Sequence, residues 1–210
     1  MPEPRKKPYL WVTWLAPLLS GGDSCEFKVW MKAHFTKLAK LETESAFDAS
    51  AWQENHTAML NELREEYRPK CETLLIEGQT GWKMEGKTAT VAGQMDLVTF
   101  GPNLVIDAKS GRQKASHVMQ MKIYLLVAEL GLIPNVSGKF AGVLRYPGNK
   151  AVEVPECDET FKQRFFELVK RIAGPEPLDP VPSKGECRFC DLADCHFRAA
   201  EEKVFHTEDF

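Results

Sequence analysis

One apolar run in the sequence carries charge where charge is costly. Leu104-Val105-Ile106-Asp107-Ala108-Lys109 reads as a strand, yet Asp107 and Lys109 interrupt it. Residues two apart on a strand share a face, so Asp107 and Lys109 project together while Ile106 and Ala108 point away. Such charges are expensive on a buried strand unless they are paired or hold a cation. The preceding run, Val91 to Phe100, carries a single charge, Asp96. The Gly101-Pro102-Asn103 turn predicts an antiparallel hairpin that sets Asp96 opposite residues near 107 and 108. Two carboxylates and a lysine then meet at one spot. Hard oxygen ligands at that density suit Mg2+ or Mn2+, and the lysine is placed to orient or activate a water. The triplet of carboxylate, any residue, lysine carries little by itself, since it recurs at Glu26/Lys28, Glu85/Lys87 and Glu201/Lys203. What separates Asp107/Lys109 from these is its surroundings. The alternative is a salt bridge on an edge strand.

The next segment adds to the pattern. Gln120 and Tyr124 lie one helical turn apart and share a face. Between Ala108 and Val127 stand Lys109, Arg112, Lys114 and Lys122 with no acidic residue, and His117 is a further donor. This local basic stretch is what phosphate binding needs, because the formal net charge of -3 gives no global attraction to nucleic acid. A solvated turn and helix face is the plainer reading.

Three thiols cluster near the other end, at Cys187-x-x-Cys190 and Cys195. A loop of this kind can wrap one metal or cluster, but a four-ligand site needs another donor. His196 is adjacent in sequence, whereas Cys25, Cys71 and Cys157 are distant. No apolar run is long enough for a membrane span, and the first eight residues do not lead into a secretory signal. A cytosolic, reducing setting is therefore expected, which favours ligation over disulfides.

The elements that must position these residues follow from periodicity and breakers. Residues 9–20 are aromatic and aliphatic and read as a packed N-terminal arm. Phe27, Trp30, Met31, His34, Leu38 and Leu41 recur at helical spacing, and Trp52, His56, Met59, Leu60, Leu63 and Tyr67 mark a helix over about 50–67. Short strand signals broken by glycines run from Cys71 to Lys109. A helix from Ser116 to Leu130, stopped by Gly131 and Pro134, a hairpin over 139–155 turning at Pro147-Gly148-Asn149, and a helix from Asp158 to Ala173 complete the core. Pro175, Pro177, Pro180 and Pro182 make a stiff connector to the cysteines. The expected fold class is α/β. Gly81-Trp-Lys-Met-Glu-Gly86-Lys87-Thr88 matches a phosphate-binding loop of an NTPase, but residues 88–93 read as strand where such a loop must open a helix.

Gly93-Gln94-Met95-Asp96, Val105-Ile106-Asp107-Ala108-Lys109-Ser110-Gly111 and Gln120-Met121-Lys122-Ile123-Tyr124 together resemble the RecB-like branch of the PD-(D/E)XK nuclease superfamily. The resemblance implies a restriction-endonuclease-like α/β core at residues 49–174, with an N-terminal arm and helix at 1–48 and a C-terminal cysteine segment at 175–210. It implies that Asp96, Asp107 and the Ala108 carbonyl ligate Mg2+ or Mn2+, that Lys109 steers the hydrolytic water, and that Gln120 and Tyr124 position the lysine and the DNA. Many members of that branch add a helical histidine ligand, for which His56 is the candidate and His34 the rival. Arg112, Lys114, His117 and Lys122 are the expected DNA contacts. The cysteines resemble those of the CRISPR-associated iron–sulfur exonucleases. That resemblance implies a 4Fe-4S cluster on Cys25, Cys187, Cys190 and Cys195, clasping both chain ends together, with Zn2+ as the alternative. The implied activity is hydrolysis of DNA, as an exonuclease on single strands or ends. Its implied setting is spacer acquisition beside the CRISPR integrase in antiviral defence, or recombination and repair. The competing reading is a non-catalytic, zinc-stabilised nucleic-acid-binding module, which leaves Asp107 and Lys109 unexplained.

Overall fold

The computed structural model describes residues 2–41, 48–133, 136–193 and 195–199. Its elements run β1 (Glu3–Pro4), β2 (Tyr9–Trp11), α1 (Val12–Ser20), α2 (Glu26–His34), β3 (Phe35–Thr36), α3 (Ala49–Tyr67), β4 (Thr73–Ile76), β5 (Gly81–Glu85), β6 (Thr90–Gln94), β7 (Leu97–Phe100), β8 (Leu104–Ala108), α4 (Ala115–Glu129), β9 (Ala141–Tyr146), β10 (Lys150–Val154), α5 (Glu159–Ile172) and α6 (Lys184–Arg188).

Strand β8 is the pivot. It pairs antiparallel with β7 and parallel with β9, in a five-stranded sheet ordered β10-β9-β8-β7-β4. Parallel neighbours need a crossover, and α4 supplies it. Both faces of β8 are covered. Val105 joins the main core with α4, whereas Ile106 and Ala108 pack with Leu60 and Leu63 of α3. The sheet is thus layered between α3 and α4. Helix α4 is buried nearly all round, from Gln120 and Met121 to Ile123–Ala128, because α1 packs on it from the other side. Helix α5 is more one-sided, burying Phe161, Phe165, Leu168 and Ile172 at helical spacing. Asp158 caps it by accepting a 2.6 Å hydrogen bond from the Phe161 amide.

The fold departs from the sequence reading in three places. The apolar run 91–100 is two strands. Strand β6 belongs to a separate sheet ordered β2-β6-β5, and the chain changes sheets at Met95 and Asp96. There the Thr80 hydroxyl donates to the Met95 carbonyl and the Glu77 amide donates to the Asp96 carbonyl at 2.9 Å, replacing the ladder. Both sheets feed one core, so hydrophobicity does not mark the break. The helix read as far as Leu41 ends at His34, whose ring nitrogen sits 3.0 Å from the Ile172 carbonyl, and β3 then pairs with β1. The N-terminal arm is a strand and a helix, β2 and α1. Strand β5 turns straight into β6, so no helix follows the Gly86-Lys87-Thr88 segment and the NTPase reading fails. Pro134 and the Glu201/Lys203 triplet lie outside the described residues.

Gly93, in β6, has a steric role. A Cβ there would lie 2.6 Å from Trp82 Cζ2 and 2.9 Å from Val12 Cγ1. The ring must come that close because Trp82 packs edge-on against Tyr124, at 6.4 Å between centroids. Gly93→Ala is predicted to destabilise the fold by about 1–3 kcal/mol, as overpacking does. The urea midpoint measures this, and an unchanged midpoint would mean that the Trp82 ring is free to retreat.

Candidate active site

Asp96 occupies the break between β6 and β7 rather than a strand position. The pairing of Leu97 with Ile106 carries it to the level of Asp107, as the hairpin reading expects. Its Oδ2 accepts a 2.7 Å hydrogen bond from the Ala108 amide, which fixes the carboxylate. Its Oδ1 lies 4.0 Å from His56 Nε2 on α3. Glu77 stands beside them because β4 pairs Ile76 with Leu97, so the next residue out meets Asp96. Ligand atoms of His56, Glu77 and Asp96 all lie within 4.8 Å of one another, and no other such trio occurs among the described residues. One imidazole nitrogen and carboxylate oxygens form a donor set that fits Mg2+ or Mn2+.

Asp107 is almost wholly buried, at 2% exposure. Lys109 Nζ sits 2.6 Å from Asp107 Oδ2, yet that oxygen has no aligned hydrogen-bond donor. The contact is ionic rather than a formed hydrogen bond. A buried carboxylate oxygen left in this condition is one that a bound cation would satisfy. Lys109 is then held from behind by a directed chain. Its Nζ donates to Gln120 Oε1 at 3.1 Å, Gln120 Nε2 donates to the Tyr124 oxygen at 2.7 Å, and the Tyr124 hydroxyl donates to the Gln94 carbonyl at 2.7 Å.

The electrostatics follow from burial. Desolvation, reinforced by the Asp107 charge, lifts the Asp96 carboxyl well above the usual carboxylate range. Burial, with Asp107 adding to it, also raises the Tyr124 hydroxyl, so it stays a neutral donor. His117 shares a 3.0 Å contact with the Tyr146 hydroxyl. Burial, then the Lys109 and Lys114 charges, push its imidazole down to about 4. His117 therefore enters the cleft uncharged at neutral pH.

These residues line an open cleft of about 700 Å3 together with Arg112, Lys114 and the tryptophans Trp11 and Trp52. Lys122 does not line it. Its ammonium lies 3.6 Å from Asp158 and over the Phe161 ring, so the basic stretch divides by helix face and Lys122 is no cleft cation. His34 stacks on Trp30 in the core, away from the cleft. The repeats of the triplet are spent elsewhere, Glu26 on Arg171 and Glu85 on Lys7. Glu77 was not singled out from the sequence. No fixed spacing ties it to Asp96, and only the β4–β7 register brings them together.

Cys25, Cys187, Cys190 and Cys195 line one small cavity with Phe27, Glu186 and Phe197. The thiols are free, and no three of them have sulfurs mutually within 4.8 Å, so no closed metal cluster is formed. The segment before α2 and helix α6, far apart in sequence, do meet here. Glu186 accepts from the Ser24 amide at 3.0 Å, the Ser24 hydroxyl at 2.6 Å and the Cys25 amide at 3.0 Å. Burial alone would raise the Glu186 carboxyl, but these bonds hold it below its usual value. Arg198 donates to the carbonyls of Cys187, Cys190 and Leu192, and the Ala199 amide lies 3.4 Å from Cys187 Sγ. Cys157 is elsewhere, its thiol donating to the Lys122 carbonyl and pushed up by burial to about 11.

No helix among the described residues is long and apolar enough to cross a membrane. No curated protein matches the chain in sequence. The solved structure described as "Crystal structure of SSO0001" is similar in fold, with a TM-score of 0.54 and 18% identity over 94% of this chain and 90% of that one. The family model of the PD-(D/E)XK nuclease superfamily matches residues 22–195, from ahead of α2 to the last of the clustered cysteines. Asp96, Asp107 and Lys109 all fall inside that span, and by it the chain belongs to the PD-(D/E)XK nuclease superfamily, whose members are typically nucleases that use divalent metals.

Proposed function

We propose that this chain is a Mg2+- or Mn2+-dependent deoxyribonuclease of the RecB-like branch, acting on single-stranded DNA or DNA ends. The observation that carries this reading is the convergence of His56, Glu77 and Asp96 beside the under-satisfied carboxylate of Asp107. His56, Glu77, Asp96, Asp107 and the Ala108 carbonyl would hold the metal. When bound, a divalent ion polarises the scissile phosphate and lowers the pKa of the attacking water. Asp96 would hold the ion as a carboxylate, so binding there would compete with the proton that burial and Asp107 favour on it. Lys109, braced by Gln120 and Tyr124, donates to the attacking water and fixes its line of approach. Arg112 and Lys114 neutralise flanking phosphates, while His117 offers a neutral contact. Nothing comparable is explained by a non-catalytic binding module.

The cysteine cavity supports the second half of the reading, a 4Fe-4S cluster on Cys25, Cys187, Cys190 and Cys195 resembling that of the CRISPR-associated exonucleases. Zn2+ is the competing occupant. It would draw four thiolates at about 2.3 Å from one centre to within about 4 Å of each other, and no three of these sulfurs stand mutually within 4.8 Å. Support for the cluster comes from the cavity that the four cysteines share, from the Ala199 amide near Cys187 Sγ and from Glu186, which already joins the two cysteine-bearing segments. The setting that follows is CRISPR spacer acquisition beside the integrase, with recombination or repair as the alternative.

Asp107→Ala and Lys109→Ala are each expected to lower Mn2+-dependent cleavage by about 10²–10⁴-fold with the fold intact. Glu26→Ala and Glu85→Ala should cleave normally. Near-parental turnover by either of the first pair would remove this strand from the mechanism. His56→Ala and Glu77→Gln should each weaken Mn2+ binding more than DNA binding.

The raised Asp96 carboxyl sets the sign of a pH effect. Between its unfolded value of about 3.9 and its higher folded value, the folded chain holds the extra proton. The metal-free fold therefore loses stability as pH rises through that window. Metal binding runs the other way, strengthening with pH and releasing a proton. Calorimetry of Mn2+ binding inside that window, in buffers of different ionisation enthalpy, reads the proton directly, and binding without release from about pH 4 upward would contradict the assignment.

Anaerobically purified protein is expected to be brown. Serine at Cys25, Cys187, Cys190 or Cys195 should bleach it and reduce its solubility, whereas Cys71→Ser and Cys157→Ser should keep the colour. A colourless protein with one tightly held zinc would replace the cluster and leave the nuclease reading in place.

A further inference from the structure

We propose that β2 and the segment ahead of it form a nucleotide-stacking lane, built from Arg5, Tyr9 and Trp11, that leads single-stranded DNA to the cleft. The proposal takes the identity of the cleft chemistry from the nuclease reading, but its own support is separate. The lane lies ahead of residues 22–195 and so outside the part of the chain that the family match covers.

Tyr9 and Trp11 stand two apart on β2 and therefore on one face. Their rings meet edge to face at 5.8 Å between centroids. The Arg5 guanidinium lies over the Tyr9 ring at 5.7 Å. A cation, a phenol and an indole thus adjoin one another, the cation coming from the segment ahead of β2. Trp11 is 40% exposed, a large apolar area with no cover in the fold. It is also the junction of two spaces. Trp11 and Gln94 line the catalytic cleft, and the same two residues line an adjoining groove of about 410 Å3 with Tyr9, Trp82 and Lys83. The groove is continuous with the place where phosphodiester chemistry would occur.

The chemistry of the groove selects its occupant. Exposed rings interleaved with cations bind single strands, because each base offers a flat face and each phosphate a charge. Lys83 on β5 lines the groove, and Arg5 and Lys6 lie just ahead of β2, whereas Lys7 is paired with Glu85. A duplex hides its base faces in the stack and could not use the lane. Trp52, 43% exposed and stacked on His56 at 5.2 Å, presents another indole inside the cleft.

The test uses the full chain carrying Asp107→Ala, so that DNA is bound without being cut, titrated with an oligothymidylate and with a blunt duplex. Adding Trp11→Ala is expected to weaken oligothymidylate binding about tenfold and leave duplex binding nearly unchanged, while Trp11→Phe restores most of the loss. In the cleavage-competent chain the same alanine should raise KM for the single strand about tenfold with little change in kcat. Unchanged oligothymidylate binding, an equal loss on duplex, or a fall in kcat at constant KM would each overturn the lane. Tighter binding of an oligouridylate than of the oligothymidylate would overturn the choice of DNA. A chain that never cleaves with Mn2+ would defeat the nuclease reading instead, and the binding titration would still decide the lane.

Discussion

Asp96 and Asp107 face each other where water scarcely reaches, and burial together with their repulsion lifts the Asp96 carboxyl far above its ordinary range. A fold tolerates such a pair only when other groups hold it, and several features of this one do so. The Ala108 amide grips Asp96, and Lys109 stands against Asp107. The β6–β7 break exists at the point where Asp96 must leave the ladder. A divalent cation would convert the remaining repulsion into ligation, because carboxylates that disfavour each other both favour the ion.

The lysine side of the site is stiff for reasons that reach far from it. Lys109 depends on Gln120, Gln120 on Tyr124, and Tyr124 on the Gln94 carbonyl and the Trp82 ring. Trp82 can lie where it does because position 93 has no Cβ. The glycine three residues before Asp96 therefore acts through packing and a hydrogen-bond chain, not through the metal. On the opposite side, the Arg145 guanidinium bonds both carboxylate oxygens of Glu66, tying α3 to β9 at 3.1 and 2.9 Å. That tie keeps the helix bearing His56 seated on the sheet bearing Asp107.

The cysteine end is organised on the same principle, with polar groups holding ligands in place. Glu186 joins the segment before α2 to α6, and Arg198 gathers the carbonyls of the C-terminal loop. Helix α2 is further pinned to the end of α5 by the Glu26–Arg171 pair and by the Trp30 indole on the Gly174 carbonyl. Joining segments so distant in sequence costs loop-closure entropy, and these bonds offset part of it before any metal is considered.

Local pattern alone determined the β8 strand with its two charges on one face, the Gln120–Tyr124 pair, the 139–155 hairpin and the helices about α3, α4 and α5. Each is a matter of period or turn chemistry within a few residues, which the sequence displays directly. The family resemblance in three short motifs then supplied the roles proposed for these residues, which periodicity could not. Tertiary structure alone decided the rest. Glu77 reaches Asp96 through strand register, and Lys122 faces α5 although its neighbours in sequence line the cleft. His56 rather than His34 lies beside the carboxylates because α3, not α2, packs on β8. The sheet change at residues 95–96 and the meeting of Cys25 with Cys187 have no local signature. Both depend on which surfaces pack together, and a hydrophobic pattern records only that a residue is buried, not against what.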